Sequence, residues 1–457
     1  MKIIISLSDG MVERNLLKTD FWSYLTQEKE LEIILISSSN EYFNYLAKRY
    51  ASPMVKVVYE QYSIGLIDAF LSYLTRNSIH SCTIKEEQYS QRKGINGQKK
   101  RSFLTYCSFR LCWYLGKYYW WRKFLRFLYR HLSSCGYAES VLRREKPDLV
   151  FVPSINPSDY KMIWQARRQN VRCVQMIKSW DNLSSKTFMA VLPDYLVVHN
   201  KIIRDEAVYY GDMPKDKIFI SGIPQFDYLV SKRDEILINR EEFYADLGID
   251  SSQKVILFSA SGDRISPHDG DYLLMLDEAI VRGSLPYDTH VHVRLHPKYD
   301  SSLKGVEKLK HVTVERPFSY LTKDHRDWVF EEKDMKRWYN SLFHSAMVVN
   351  VASTMAIDAA VVERPIISLG FDGYGKLPLS QSVFRYYDRD HYRNVIKTDA
   401  VLLVRSEQEF INAVRCYLKN PLHKENERRK LVEQQCYKID GNASGRLVDF
   451  LLNLVKG

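Results

Sequence analysis

A chain of 457 residues, 45% hydrophobic and 26% charged, has room for two α/β domains with full cores and the balance of a folded protein, which excludes a disordered chain. Its net charge of +11 narrows the acidic partners to nucleic acid, anionic lipid headgroups and phosphorylated substrates. Seven scattered cysteines, none spaced C-x-x-C, argue against a zinc site or disulfide framework and read as reduced thiols of a cytosolic protein.

The opening run MKIIISLSDG is too short in apolar residues for a signal peptide and reads as a first strand, Lys2 to Ser8, turning at Asp9 and Gly10. A helix from Glu13 to Gln27 and a strand from Glu32 to Ser37 follow. Strand, loop, helix and strand open a doubly wound sheet, and Val55 to Tyr59 with a helix through Ala69 and Leu74 continues it. No stretch of about 18 apolar residues occurs, so no membrane crossing is expected.

Between Glu87 and Glu139 there is no acidic residue, while the Lys and Arg residues from Arg92 to Arg130 could account for the whole charge excess. Within it, Phe103 to Leu132 is aromatic, basic and helical in pattern. One reading is a helical pair packing its aromatics inward with a solvated basic face. Another is an interfacial patch with Trp113, Trp120, Trp121 and Tyr129 at headgroup depth and cations meeting anionic lipid. Single-stranded nucleic acid is a third, but no nucleic-acid module signature accompanies it and no such partner is expected.

The doubly wound pattern resumes with strands Pro147 to Val152, Val171 to Ile177, Tyr195 to His199 and Lys217 to Ser221. A polar stretch from Ser231 to Glu242 reads as the interdomain linker. Beyond it come strands Lys254 to Ser259, His290 to Leu295 and Val312 to Glu315, a helix from Asp271 to Arg282, and the central unit Met347 to Gly373. That unit is a buried strand, a small-residue turn at Ala352, Ser353 and Thr354, an Ala-rich helix and a second buried strand. Its hydroxyl-bearing turn offers backbone N–H groups suited to a phosphate. The expected domains are 1–230 on the acceptor side, with the insertion at about 88–138, then 231–435 for the donor, and 436–457 as a helix that returns to the first domain.

Ser259 to Gly262, His296-Pro297 and Ser353-Thr354 all end strands of the second domain, where open α/β sheets bind ligands. His296, between Arg294 and Lys298, suits a phosphate oxygen; its bland alternative is a structural histidine. Ser353 and Thr354 are equally a helix N-cap, a role that uses the same N–H groups. In the first domain the loop Lys178 to Lys186 puts Asp181 beside Trp180 and Asn182. Either Asp181 is a general base, its pKa raised by the indole, or Asp181 and Asn182 cap an Asx-turn over a core Trp180. The D-x-D triplets Asp269-Gly270-Asp271 and Asp388-Arg389-Asp390 follow no apolar strand, so no metal is expected. P-loop, dinucleotide and nucleophile-elbow motifs are absent.

Five runs carry a family resemblance: SWDNLSSK (Ser179 to Lys186), IFISGIPQFDYL (Ile218 to Leu229), RLHP (Arg294 to Pro297), VNVASTMAIDAA (Val349 to Ala360) and DGNASGRLVDFL (Asp440 to Leu451). From about Pro147 onward the chain resembles two-domain GT-B glycosyltransferases of bacterial surface-polysaccharide synthesis, bordering on the CDP-glycerol glycerophosphotransferases. The resemblance implies two Rossmann-like domains facing a cleft and a metal-independent transferase without cofactor, using a nucleotide-sugar as co-substrate. Donor contacts would come from Ser259, Ser261, Gly262, Arg294, His296, Pro297, Lys298, Ser353, Thr354 and Asp358, and acceptor contacts from Asp9, Gly10, Trp180, Asn182 and Lys186. Asp181 and His296 would be catalytic. In the glycerophosphotransferases a W-H-G-T loop carries a base histidine; here it reads Trp180-Asp181-Asn182-Leu183, which favours sugar transfer over polyol-phosphate transfer. A nonhydrolysing sugar-nucleotide epimerase shares the architecture. The implied acceptor is a lipid-linked surface glycan, lipopolysaccharide or capsule, and the implied place is the cytoplasmic face of the cell membrane.

Overall fold

The structure is a computed structural model that describes residues 1–7, 10–37, 39–61, 65–95, 99–133, 136–186, 188–317, 319–320, 328–329 and 331–456. Asp9, an expected acceptor contact, lies outside the described residues.

Strands β1 (Lys2–Leu7), β2 (Glu32–Ser37), β3 (Val55–Tyr59), β4 (Leu149–Val152), β5 (Arg172–Met176), β6 (Tyr195–Val198) and β7 (Ile218–Ile220) form one parallel sheet, ordered β3-β2-β1-β4-β5-β6-β7. A second parallel sheet uses β8 (Lys254–Ser259), β9 (Thr289–Arg294) and β10 (Val312–Glu315). Past a short antiparallel pair, β11 (Ser319–Tyr320) with β12 (Trp328–Val329), it adds β13 (Met347–Asn350), β14 (Ile366–Leu369) and β15 (Leu402–Val404). Its order is β10-β9-β8-β13-β14-β15. Both are buried on two faces, which is why β1, β4, β8 and β13 read as near-continuous apolar runs. The chain is an α/β protein of two Rossmann-like sheets.

In each sheet the order reverses beside the first strand, so β1 and β4, and likewise β8 and β13, flank a switch point whose crevice opens at the strands' C-terminal ends. The segment from Glu13 to Gln27 is not one helix. Thr19 interrupts it, its hydroxyl accepting the Phe21 N–H at 3.3 Å and restarting the helix at Asp20.

The polar stretch 231–242 contains helical turns rather than extended chain: Arg233–Ile236 is helical and a further helix begins at Arg240. Ile236 is fully buried against Met335 and Tyr339. The C-terminal helix Ala443–Lys456 places Leu447, Val448 and Leu451 in the core of the first sheet, beside Phe21 and Leu25. Full burial of each leucine contributes roughly 1.5–3 kcal/mol, enough to hold the chain's end on the first sheet after it has crossed from the second.

Candidate active site

The C-terminal strand ends of the two sheets face each other across a cavity of about 200 Å³. Arg14, Lys178, Trp180, His199 and Asn200 line it from the first sheet; Trp338, Tyr339, Thr354 and Asp358 line it from the second. A second cavity of about 540 Å³ adjoins it across Met335 and is walled by Lys18, Trp22, Arg49, Tyr50, Tyr228 and Lys232.

Two titratable groups in the smaller cavity have environments that push them apart. Burial lowers His199, which directly follows β6, to about 4, so the imidazole is neutral near pH 7. Burial raises Asp358, in the first turn of helix Met355–Val361, to about 7 although Arg14 opposes the shift. Such a divergence is how a site separates acid from base roles. Asn200 anchors the wall by capping the next helix, accepting the Ile203 N–H at 2.9 Å, and by donating to the Gln435 carbonyl at 2.7 Å. The turn before the Asp358 helix is strained: Ala352 has φ +39°, and residues held so are found where structure serves function.

Asp181 does not have the raised pKa expected from its indole neighbour. Burial alone would raise its pKa, but the charges of Lys186 and His391, with the Ser179 hydroxyl, outweigh burial and hold the carboxyl well below its usual range. Lys186 meets it at 2.6 Å and Ser179 at 2.7 Å. A carboxylate so satisfied has little affinity for an acceptor's proton. Asn182 is buried and accepts the Ser179 N–H at 2.9 Å, a bond back to an earlier residue that closes the loop without the forward bond of an Asx-turn, and Lys186 is bound to Asp181 rather than placed in the cavity. Trp180 does line the cavity and also packs edge-on against His391 and Tyr392, with ring centroids 5.1 and 5.8 Å apart. Gly10 is buried where the chain leaves β1.

On the second sheet the three strand-end loops stand side by side, with β8 between β9 and β13. That orders the His296 and Thr354 loops along one edge of the sheet, with the β8 loop between them. His296 accepts the N–H groups of Lys298 (2.9 Å) and Tyr299 (3.0 Å) on Nδ1, which leaves its proton on Nε2, and it stacks on Tyr299 at 4.6 Å. Burial lowers it to about 4. The structure thus makes His296 a neutral donor, outside the residues lining the 200 Å³ cavity. Pro297 follows it, and Lys298 extends its ammonium over the Tyr299 ring.

Three expected donor contacts are used internally. Arg294 is buried and gives its guanidinium to Glu315 (2.7 Å) and Ser341 (3.2 Å), away from the cavity. The N–H groups of Ser261 and Gly262 go to the buried Asp269 carboxylate at 2.8 and 3.1 Å. Ser259 ends β8 in register with Arg294 and does not line the cavity. Ser353 caps its helix, its hydroxyl accepting the Met355 N–H at 3.3 Å. The second D-x-D is also engaged, Asp390 accepting the Thr83 N–H and hydroxyl at 2.7 and 2.8 Å.

Sequence reasoning passed over Arg14, Lys178 and His199. Lys178 and His199 carried a readable signal, since each follows directly on an apolar strand of a parallel sheet. Arg14 did not, because it reaches the cavity from a helical turn.

Among solved structures, the UDP-GlcNAc 2-epimerase of Neisseria meningitidis, bound to UDP-GlcNAc, matches with TM-score 0.57 and 14% identity over 99% of this chain and 100% of that one. A glycosyltransferase of Rickettsia africae matches at 0.51 and 10%, covering 100% and 98%. The wall teichoic acid polymerase TagF, soaked with CDPG, matches at 0.51 and 13%, covering 99% and 88%. At these identities the likeness is one of fold, the GT-B arrangement of two facing sheets. No curated protein matches the sequence. The family model described as CDP-Glycerol:Poly(glycerophosphate) glycerophosphotransferase matches residues 181–453, which take in the Trp180 loop from Asp181, His199, the whole second sheet and the returning C-terminal helix, and on that match the chain belongs to this family of GT-B transferases.

Proposed function

We propose that the chain transfers a glycosyl group from a nucleotide-activated donor to an acceptor hydroxyl of a surface glycan. The observation that carries this reading is the cavity between the two sets of strand ends, where Asp358 is poised near neutrality among Arg14, Lys178 and His199. A base is best matched to its task when its pKa lies near the working pH. Asp358 takes the acceptor proton, the acceptor oxygen bonds to the anomeric carbon, and the bond from that carbon to the donor phosphate oxygen breaks. The nucleotide leaves with the electron pair, its charge met by Arg14, Lys178 and the N–H of His296. Neutral His199 orients the acceptor, which enters from the adjoining 540 Å³ cavity, where Trp22, Tyr50 and Tyr228 offer apolar faces and Lys18, Arg49 and Lys232 offer charge.

The family match favours a second reading on the same residues, transfer of a polyol phosphate from a CDP-activated donor. Against it stands the Trp180 loop, which holds an ion-paired Asp181 where the resemblance implies a histidine base. Thermal shift with CMP-, CDP-, UDP- and GDP-activated sugars and with CDP-glycerol, each with and without EDTA, separates the two. Stabilisation by one sugar nucleotide, unchanged by EDTA, is expected. A shift with CDP-glycerol alone selects the second reading, loss of the shift in EDTA overturns metal independence, and no shift with any donor overturns the site.

A further inference from the structure

The aromatic side chains of the first domain divide between packing and the cleft. Of those expected at headgroup depth, Tyr129 is core, while Trp113 and Trp121 donate their indole N–H groups inward to Ser81 and Ser78. Trp22, Tyr50 and Tyr228 instead wall the 540 Å³ cavity. That cavity meets the 200 Å³ one at a single side chain: among the described residues, Met335 alone lines both.

The backbone on either side of this junction is held. On the first-sheet side the wide, π-type helical turn Glu13–Leu17 serves both cavities, Arg14 and Asn15 reaching the smaller and Leu17 the larger. The buried Glu13 carboxylate anchors the turn, accepting the hydroxyls of Tyr42, Tyr45 and Tyr50 at 3.4, 3.0 and 2.8 Å and meeting the Lys18 ammonium at 3.2 Å. On the other side Met335 stands in the helix Glu332–His344, where it shares one face with Trp338 and Tyr339 at helical spacing. That helix is bolted down: the Tyr339 hydroxyl donates to the Gln225 carbonyl at 3.0 Å and the Asn340 amide to the Ile236 carbonyl at 2.8 Å. With both backbones fixed, the adjustable part is the Met335 thioether, packed on Tyr228, Ile236 and Tyr339, unbranched and free to turn about three bonds.

The two volumes assign different loads to the two sides. About 540 Å³ lies within the roughly 300–1,000 Å³ that encloses a whole small ligand, whereas about 200 Å³ falls below it. The larger cavity therefore has room for several groups of an acceptor, and the smaller one admits only its end.

We propose that Met335 is the acceptor-selecting residue of this site. Its side chain is the gate through which an acceptor end passes to Asp358, admitting a single unbranched sugar and holding back one that carries a second sugar beside the accepting hydroxyl. The inference rests on the transferase reading and adds to it the shape of the acceptor.

The test uses the full chain with the sugar nucleotide that stabilises it in thermal shift. Acceptors are methyl hexosides and methyl N-acetylhexosaminides, each supplied plain and with a second hexose on the carbon beside a free hydroxyl, and kcat/KM is compared within each pair. The wild type should favour the plain acceptor by about 10- to 200-fold, the range over which the shape of an apolar wall discriminates. M335A, which removes the thioether, should bring the pair close to parity. M335I, similar in volume but stiff at χ1, should widen the preference, and it decides the matter alone if the truncated variant unfolds. The donor-induced thermal shift should persist in both, which a collapsed cleft would not allow. A preference that neither variant moves overturns the gate and leaves the transferase standing. Absence of transfer by the wild type to every acceptor overturns the transferase reading and the gate with it.

Discussion

Asp358 and His199 line one cavity from opposite sheets but do not share a protonation problem. Asp358 is buried with Arg14 as its opposing charge and titrates near 7, so a rate that depends on its carboxylate should rise with pH through that value. Asp358→Asn should lower kcat by about 10²–10⁴-fold, the range for loss of a general base, and remove that acid limb. The donor-induced thermal shift should persist. His199 sits near 4 and stays neutral over the same range, so His199→Gln should lower kcat/KM without moving the limb. A limb near 7 that survives in Asp358→Asn would transfer the base role elsewhere. The sequence showed the strand that His199 follows and the turn that leads into the Asp358 helix, because apolar runs closing on polar or small residues mark them. It did not show Lys186 folding back onto Asp181, since ion pairing within a loop depends on the loop's path.

At the scale of elements, the loop after β8 shows how a donor-side feature is held in place from behind. Gly262 has φ +76°, and a Cβ there would lie 2.4 Å from the Tyr299 Cβ. Tyr299 in turn stacks on His296 and donates its N–H to that ring. Gly262→Ala therefore carries about 1–2 kcal/mol of left-handed strain and must also displace Tyr299, so it should weaken donor binding through His296. Titration calorimetry with the stabilising nucleotide would show this, and unchanged affinity would separate His296 from the donor. Asp269, raised to about 7 by burial, accepts the N–H groups of Ser261 and Gly262. Asp269→Ala orphans both, at about 1–3 kcal/mol each, which denaturant unfolding would read as a lowered midpoint. Turn glycines and strand ends were legible here. The carboxylate that occupies the loop's donors was not, because Asp269 and Asp271 look alike in an isolated D-x-D. The apolar spacing of Leu447, Val448 and Leu451 likewise announces a helix without saying which sheet receives it.

Across the whole molecule, the two sheets meet in more than the cleft. Arg389 reaches Glu86 at 2.7 Å, Asp390 holds Thr83, and Trp180 lies against His391. Burial raises Glu206, in the helix Lys201–Tyr209 of the first sheet, to about 8, with Asp390 and Asp181 adding to the shift. Such a contact between distant segments is written in no local pattern, although each strand and helix that makes it was readable. It sets a pH dependence of folding. Glu206, Asp269 and Asp358 all have folded values above their unfolded ones. The stability they contribute is therefore complete below about pH 4 and is lost as pH rises through 7 to 8. His199, His290, His296 and His391, lowered to about 4, act oppositely, and their contribution falls away only as pH drops below about 6.5. Between about pH 6.5 and 8 the carboxyls dominate, and each costs about 1.4 kcal/mol per pH unit until it titrates in the native state, near 7 for Asp269 and Asp358 and near 8 for Glu206. The melting temperature should fall across it. Glu206→Gln, which keeps the shape and cannot ionise, should flatten the fall, and a slope unchanged in that variant would place Glu206 outside the set of protons that folding retains.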